Sequence, residues 1–211
     1  MGLVAPPDLV SRALVSLGHE RVLEPVFARL LAGEPVTVVA LGSSITARAG
    51  GCTHSIVTGE SGGCCGATCT SRSAGFLRSF FDQLNGSFPH TKHRLFNAGV
   101  PASTPATFVE CLETWLPREA DSGKAAVDMF IVEFVAVKDI ALLLTRLRTV
   151  RTMHPPAIIV VGFYRWIHQM PASHVRLLRT ALRAGLPVLS QRYAIRTLYC
   201  THECEWRRQS S

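Results

Sequence analysis

The stretch Val36–Ala49, VTVVALGSSITARA, runs from a mostly apolar, β-branched segment straight into Gly-Ser-Ser-Ile-Thr. A hydroxyl in such a turn is a candidate nucleophile, a helix cap or an ordinary loop residue. For the first role the chemistry is demanding. A serine attacks a carbonyl only when a base takes its proton and hydrogen-bond donors stabilise the oxyanion that forms. A turn from strand to helix suits this, because it aims the side chain outward and leaves backbone N–H groups free as donors.

The elements that must position this turn alternate along the chain. Residues 11–34 have helical spacing and end at Gly33, and VTVVAL reads as a buried strand. AGFLRSFFDQLNG is an amphipathic helix stopped by Asn85-Gly86, HRLFNAG a short strand, and TPATFVECLETWL a helix capped by Thr104 with Pro105 in its first turn. VDMFIVEF is a strand leading to a helix that Asp139 caps, PAIIVVGF another strand, PASHVRLLRTALRAG a helix, LPVLS a fifth strand, and RYAIRTLY a last helical stretch. Five such strands separated by helices predict a single α/β domain over 1–211, a three-layer α/β/α sandwich on a five-stranded, parallel, doubly wound (flavodoxin-like) sheet. In that architecture ligands bind beyond the carboxyl ends of the strands, so the loops after Leu41, Phe96, Phe134 and Phe163 open toward one site.

On three short segments the chain resembles the SGNH/GDSL hydrolases. VVALGSSIT resembles their first block, Gly-x-Ser-[Leu/Ile], which makes Ser44 the nucleophile and Ser43 a spacer. FNAGVPASTPA is similar to the second block, whose glycine gives a backbone N–H to the oxyanion hole and maps to Gly99. FIVEFVAVKD resembles the third, Gly-x-Asn-Asp, through a subfamily with VEFAVND-like segments. The motifs fall in order, each at the end of a predicted strand, within a core of residues 36–190. The resemblance implies an esterase acting on ester or O-acetyl bonds, with acylated sugars as a substrate class. Its oxyanion would be held by the N–H groups of Ser44 and Gly99 and by the residue at 138, with no metal or cofactor.

Two departures stand against the pattern. The third-block asparagine, an oxyanion donor, is replaced by Lys138, and Ala136 stands where the block has glycine. A lysine ammonium can stabilise negative charge, but its flexible stem does not hold the asparagine's position; a Lys138 pointing into solvent is the plainer reading. The family's base lies in a later Asp-x-x-His block, and none follows Ser190. His202 in CTHECEW is the one histidine there, with Tyr199 at the place of the orienting aspartate and Glu203 or Glu205 as substitutes. The expectation is a chain without its base, either ending early relative to its relatives or degenerate. His154 and His168 follow the wrong elements, and His54 and His174 read as surface loop or helix residues.

Composition bounds the partners. At 47% apolar and 18% charged the chain is globular, and its longest apolar runs are too short to cross a bilayer. The net charge of +7 comes mainly from arginines in the second half, on helices whose solvated faces they occupy. No aromatic interleaving or recognition motif points to nucleic acid. Cys52, Cys64, Cys65 and Cys69 crowd a Gly/Ser/Thr-rich insertion over 50–72, which disulfides in an oxidising compartment would pin; zinc is an alternative, with His54 nearby but without paired C-x-x-C units. That loop points to the secretory pathway or the extracellular space, although MGLVAPPDLV does not read as a signal peptide. Besides the esterase, a non-catalytic domain binding acidic glycans and an O-acyltransferase on the same scaffold fit these residues.

Overall fold

The computed structural model describes residues 13–49, 55–58, 61–64, 75–117, 125–135, 137–152, 154–163 and 172–191. Within them the strands are β1 (Leu14–Ser16), β2 (Thr37–Gly42), β3 (Ser55–Thr58), β4 (Ser61–Cys64), β5 (Arg94–Asn97), β6 (Met129–Glu133), β7 (Ala157–Gly162) and β8 (Val188–Ser190). The helices are α1 (Glu24–Leu31), α2 (Ser44–Ala49), α3 (Phe76–Ser87), α4 (Pro105–Cys111), α5 (Ile140–Thr149) and α6 (Ala172–Arg183), with short 3₁₀ turns at Glu20–Val22 and Leu112–Thr114.

The strands form one sheet in the order β1-β8-β7-β6-β2-β5-β3-β4. Its middle, β8-β7-β6-β2-β5, is parallel throughout and is the expected five-stranded doubly wound core. Alternation along the strands divides the core in two. Val39 and Leu41 of β2 and Phe130 and Val132 of β6 face Phe108 of α4, Leu143 and Leu147 of α5 and Leu177 of α6. Val38, Ala40, Met129 and Ile131 face Val26 and Leu30 of α1 and Leu77 and Phe81 of α3. Both faces of the sheet are therefore covered, which explains strands that read as unbroken apolar runs.

Three short antiparallel strands extend the sheet beyond what periodicity foretells. The hairpin β3–β4 lies inside the cysteine-rich insertion, and β3 pairs with β5 from Ser55↔Asn97 to Thr58↔Arg94. At the other edge β1 pairs with β8. That pairing corrects the helix expected over 11–34, which begins only at Glu24. Gly18 breaks it: φ is +72°, and a Cβ there would sit 2.6 Å from Pro187 N, so the chain turns against the loop before β8. Pro25 then opens α1. The end at Gly33 is as expected, with φ +70° and the Glu34 N–H donating to the Arg29 carbonyl at 2.9 Å. Helix α3 runs through Gly86 to Ser87 rather than stopping at Asn85. Asp139 does precede α5, but with φ +65° and without a side-chain cap.

Cys111 is a free, exposed thiol. The disulfides expected of the insertion rest on side chains outside those the structure describes, and the helix expected at RYAIRTLY lies outside the described residues. Among the described residues no helix is long and apolar enough to cross a membrane.

Candidate active site

Strand β2 is buried over its whole length and ends at Gly42. A Cβ on Gly42 would lie 2.5 Å from the Glu133 carbonyl and 2.1 Å from Thr46 Oγ1, so only glycine lets β2, β6 and α2 meet here. Ser43 follows and is buried, 8% exposed. Its carbonyl accepts the Ala47 N–H at 2.9 Å, which starts α2. Ser44 is the first residue of α2 and is exposed, at the carboxyl edge of the parallel strands. No hydrogen bond ties its hydroxyl to another described residue. The two hydroxyls thus have opposite fates: Ser43 turns inward and Ser44 outward.

What holds the turn comes from the neighbouring strands. Glu133 closes β6 directly opposite Gly42 and is 1% exposed. Its Oε2 accepts from the Thr46 hydroxyl at 2.9 Å, from the Ser43 N–H at 3.2 Å and from the Thr46 N–H at 3.3 Å. The Ser43 hydroxyl lies 3.2–3.3 Å from both carboxylate oxygens. Burial pushes the Glu133 carboxyl above its ordinary 4.5, against the lowering effect of the Thr46 hydroxyl, the Ser43 and Thr46 amides and the Ser43 hydroxyl. The motif comparison passes over Glu133, although a carboxylate ending an otherwise apolar strand is a signal in itself.

From the other side, Asn97 at the end of β5 donates from Nδ2 to the Thr46 carbonyl at 3.0 Å and accepts the Gly99 N–H at Oδ1, 2.9 Å. Gly99 itself packs against α2: a Cβ there would be 2.4 Å from Ala47 N. The Gly42 carbonyl accepts the Val100 N–H at 3.0 Å and the Ser103 hydroxyl at 3.1 Å. Between these two residues Ala102 takes φ +61°, a left-handed conformation uncommon outside glycine.

The fold therefore brings Ser44 and Gly99 into one neighbourhood, with the Gly99 N–H engaged by Asn97. Lys138 lies exposed in the turn between β6 and α5, on the same edge of the sheet. His202 lies outside the described residues. His174, read from sequence as a surface residue, is on α6 but buried; a Cβ on Gly162 would press its ring at 2.5 Å, and its Nε2 is 3.3 Å from Ser190 Oγ. Among the described residues no histidine or carboxylate is hydrogen-bonded to Ser44.

No protein-family model matches the chain, and no curated protein sequence does. Solved structures do. A two-domain esterase (CEX) active on acetylated mannans superposes with a TM-score of 0.65 at 20% identity, covering 94% of this chain. A two-domain esterase (CEX) active on acetylated mannans, co-crystallised with mannopentaose, superposes with a TM-score of 0.64 at 18% identity, covering 91% of this chain. At these identities the likeness shows a shared α/β fold. The chain spans 48% of the length of each of those proteins.

Proposed function

We propose that the chain is an SGNH-type serine esterase domain that removes acyl groups, acetyl foremost, from carbohydrate esters. The observation that carries this reading is the placement of Ser44: exposed, first in its helix, beyond the end of a buried parallel strand, with its neighbour Ser43 turned inward. The fold shared with an esterase active on acetylated mannans supports the substrate class.

In this mechanism Ser44 Oγ attacks the ester carbonyl carbon while its proton passes to a base, for which His202 is the candidate. The negative charge on the former carbonyl oxygen is met by the Ser44 N–H and by the Gly99 N–H, which the oxyanion takes over from Asn97 Oδ1. Lys138 supplies positive charge at the rim. The base returns the proton to the departing sugar hydroxyl, and water then releases the acyl group from Ser44. The test is release of acetate from acetylated mannan and from an aryl acetate by the full chain, by Ser44→Ala and by His202→Ala. Activity that survives Ser44→Ala refutes the reading.

The arginines of α5 and α6 favour a second reading, a non-catalytic domain that binds acidic glycans. Arg146, Arg148, Arg176, Arg179 and Arg183 are exposed on two adjacent helices that contain no acidic residue, and among the described residues one of them, Arg146, is ion-paired, with Glu113 at 2.8 Å. This reading predicts salt-sensitive binding of a sulfated or uronic polysaccharide without labelling of Ser44 by a fluorophosphonate probe. Labelling of Ser44 refutes it.

A further inference from the structure

The Ser44 hydroxyl makes no hydrogen bond to a described residue, so its direction depends on what fixes the residues beside it. Those residues are held from one place. The Glu133 carboxylate receives the amide and hydroxyl of Ser43, one residue before Ser44, and the amide and hydroxyl of Thr46, two residues after it. Of the backbone N–H groups at the start of α2, which no helical carbonyl can satisfy, it takes those of Ser43 and Thr46 and not those of Ser44 and Ile45.

We propose that Glu133 is a positioning residue for Ser44: its buried carboxylate clamps the residues on both sides and fixes where the Ser44 hydroxyl and N–H point. The inference rests on Ser44 being the nucleophile proposed above. Two further observations support it. Every partner of Glu133 among the described residues is neutral, contributed by Ser43 and by Thr46 of α2, and among those residues no cation compensates its burial. A carboxylate in such surroundings is costly to keep, and an apolar side chain of similar volume would fill the space between β6 and α2 without that cost. What an apolar residue cannot do is accept from Ser43 and Thr46 at once. In addition, Gly42 is cleared of side chain at the point where Thr46 Oγ1 and β6 converge, so the close approach that the clamp needs is built into the strand ahead of it.

The test compares the full chain with Glu133→Gln and Glu133→Asp by two measurements. The first is the rate at which a fluorophosphonate probe modifies Ser44, alongside the melting temperature of each variant. Gln, with its amide oxygen in the place of Oε2, still accepts from Ser43 and Thr46, so it is expected to melt within a few degrees of wild type and to label at close to the wild-type rate. Asp keeps the charge but withdraws it by one methylene from those donors, and is expected to label about ten- to a hundredfold more slowly, the loss that goes with a misplaced reacting atom. The second measurement is the pH dependence of the Ser43 and Thr46 amide resonances. They are expected to shift together through one titration above pH 4.5 in wild type, and that titration vanishes in Glu133→Gln. Labelling of Glu133→Asp at the wild-type rate overturns the proposal and leaves the esterase reading standing; so do Ser43 and Thr46 amides that titrate independently. Failure of wild type to label overturns both readings together.

Discussion

Asn97 and Gly99 are joined by a 2.9 Å hydrogen bond from the glycine amide to the asparagine side-chain oxygen, and the same side chain donates to the Thr46 carbonyl at 3.0 Å. One buried amide thus ties the loop after β5 to the helix that begins with Ser44. Replacing Asn97 by Asp puts an acceptor against the Thr46 carbonyl while keeping the size. The expected cost is about 1–3 kcal/mol, the penalty for leaving a buried acceptor without its donor. Denaturant titration of the Asn97→Asp variant checks this; an unchanged midpoint would mean that the link carries no weight.

Gly99 has a second role that is purely steric. A methyl group there would lie 2.4 Å from Ala47 N and 2.8 Å from Ala47 Cα, both backbone atoms that cannot swing aside. Gly99→Ala is expected to displace α2, lower stability by about 1–3 kcal/mol as overpacked sites do, and abolish probe labelling of Ser44. Melting and labelling measured on the same sample check both halves.

How much of this was legible in the sequence follows from which interactions are local. Strand β2 and the turn at Gly42 announce themselves because burial on both faces demands an apolar run and the turn demands glycine. The parallel core follows from strands alternating with helices, since such strands need long crossovers. The edge strands β1, β3 and β4 were not legible. Each has three or four residues, too few for a period to stand out, and each exists because a neighbour's edge offers hydrogen bonds. The same holds in the site. Ser44 could be chosen over Ser43 by motif, but the clamp by Glu133 joins residues 87 and 90 positions apart, which no local spacing encodes. Nor could the motif show that Asn97 holds the Gly99 amide.

The raised Glu133 pKa carries a signed consequence for stability. Above pH 4.5 the unfolded chain has begun to release this proton while the folded chain still holds it, so the folded state binds more protons there. Stability contributed by this group is therefore fully present at lower pH and is lost as pH rises from about 4.5 through the folded pKa, with a slope of at most about 1.4 kcal/mol per pH unit. Glu133→Gln removes the titration. Urea denaturation of both proteins across this range is expected to show wild type losing stability relative to the variant as pH rises; a difference that stays flat would refute the raised pKa.

The opposite burial of the two serines makes the sharpest pair of variants. Ser44 is exposed and its hydroxyl is hydrogen-bonded to no described residue, so Ser44→Ala is expected to leave stability within about 0.5 kcal/mol of wild type. On the proposed esterase reading it should nonetheless abolish probe labelling and ester hydrolysis, because the oxygen proposed to attack is gone. Ser43 is buried and its hydroxyl faces Glu133 at 3.2–3.3 Å, so Ser43→Ala removes one donor from a carboxylate that has no cation beside it among the described residues. That variant is expected to lose about 1–3 kcal/mol, in the range for hydrogen bonds to charged groups, while Ser44 remains available to the probe. Melting and fluorophosphonate labelling of the two variants side by side separate the roles. If Ser43→Ala, rather than Ser44→Ala, abolishes labelling, the nucleophile is the inward serine and the outward one is the spacer.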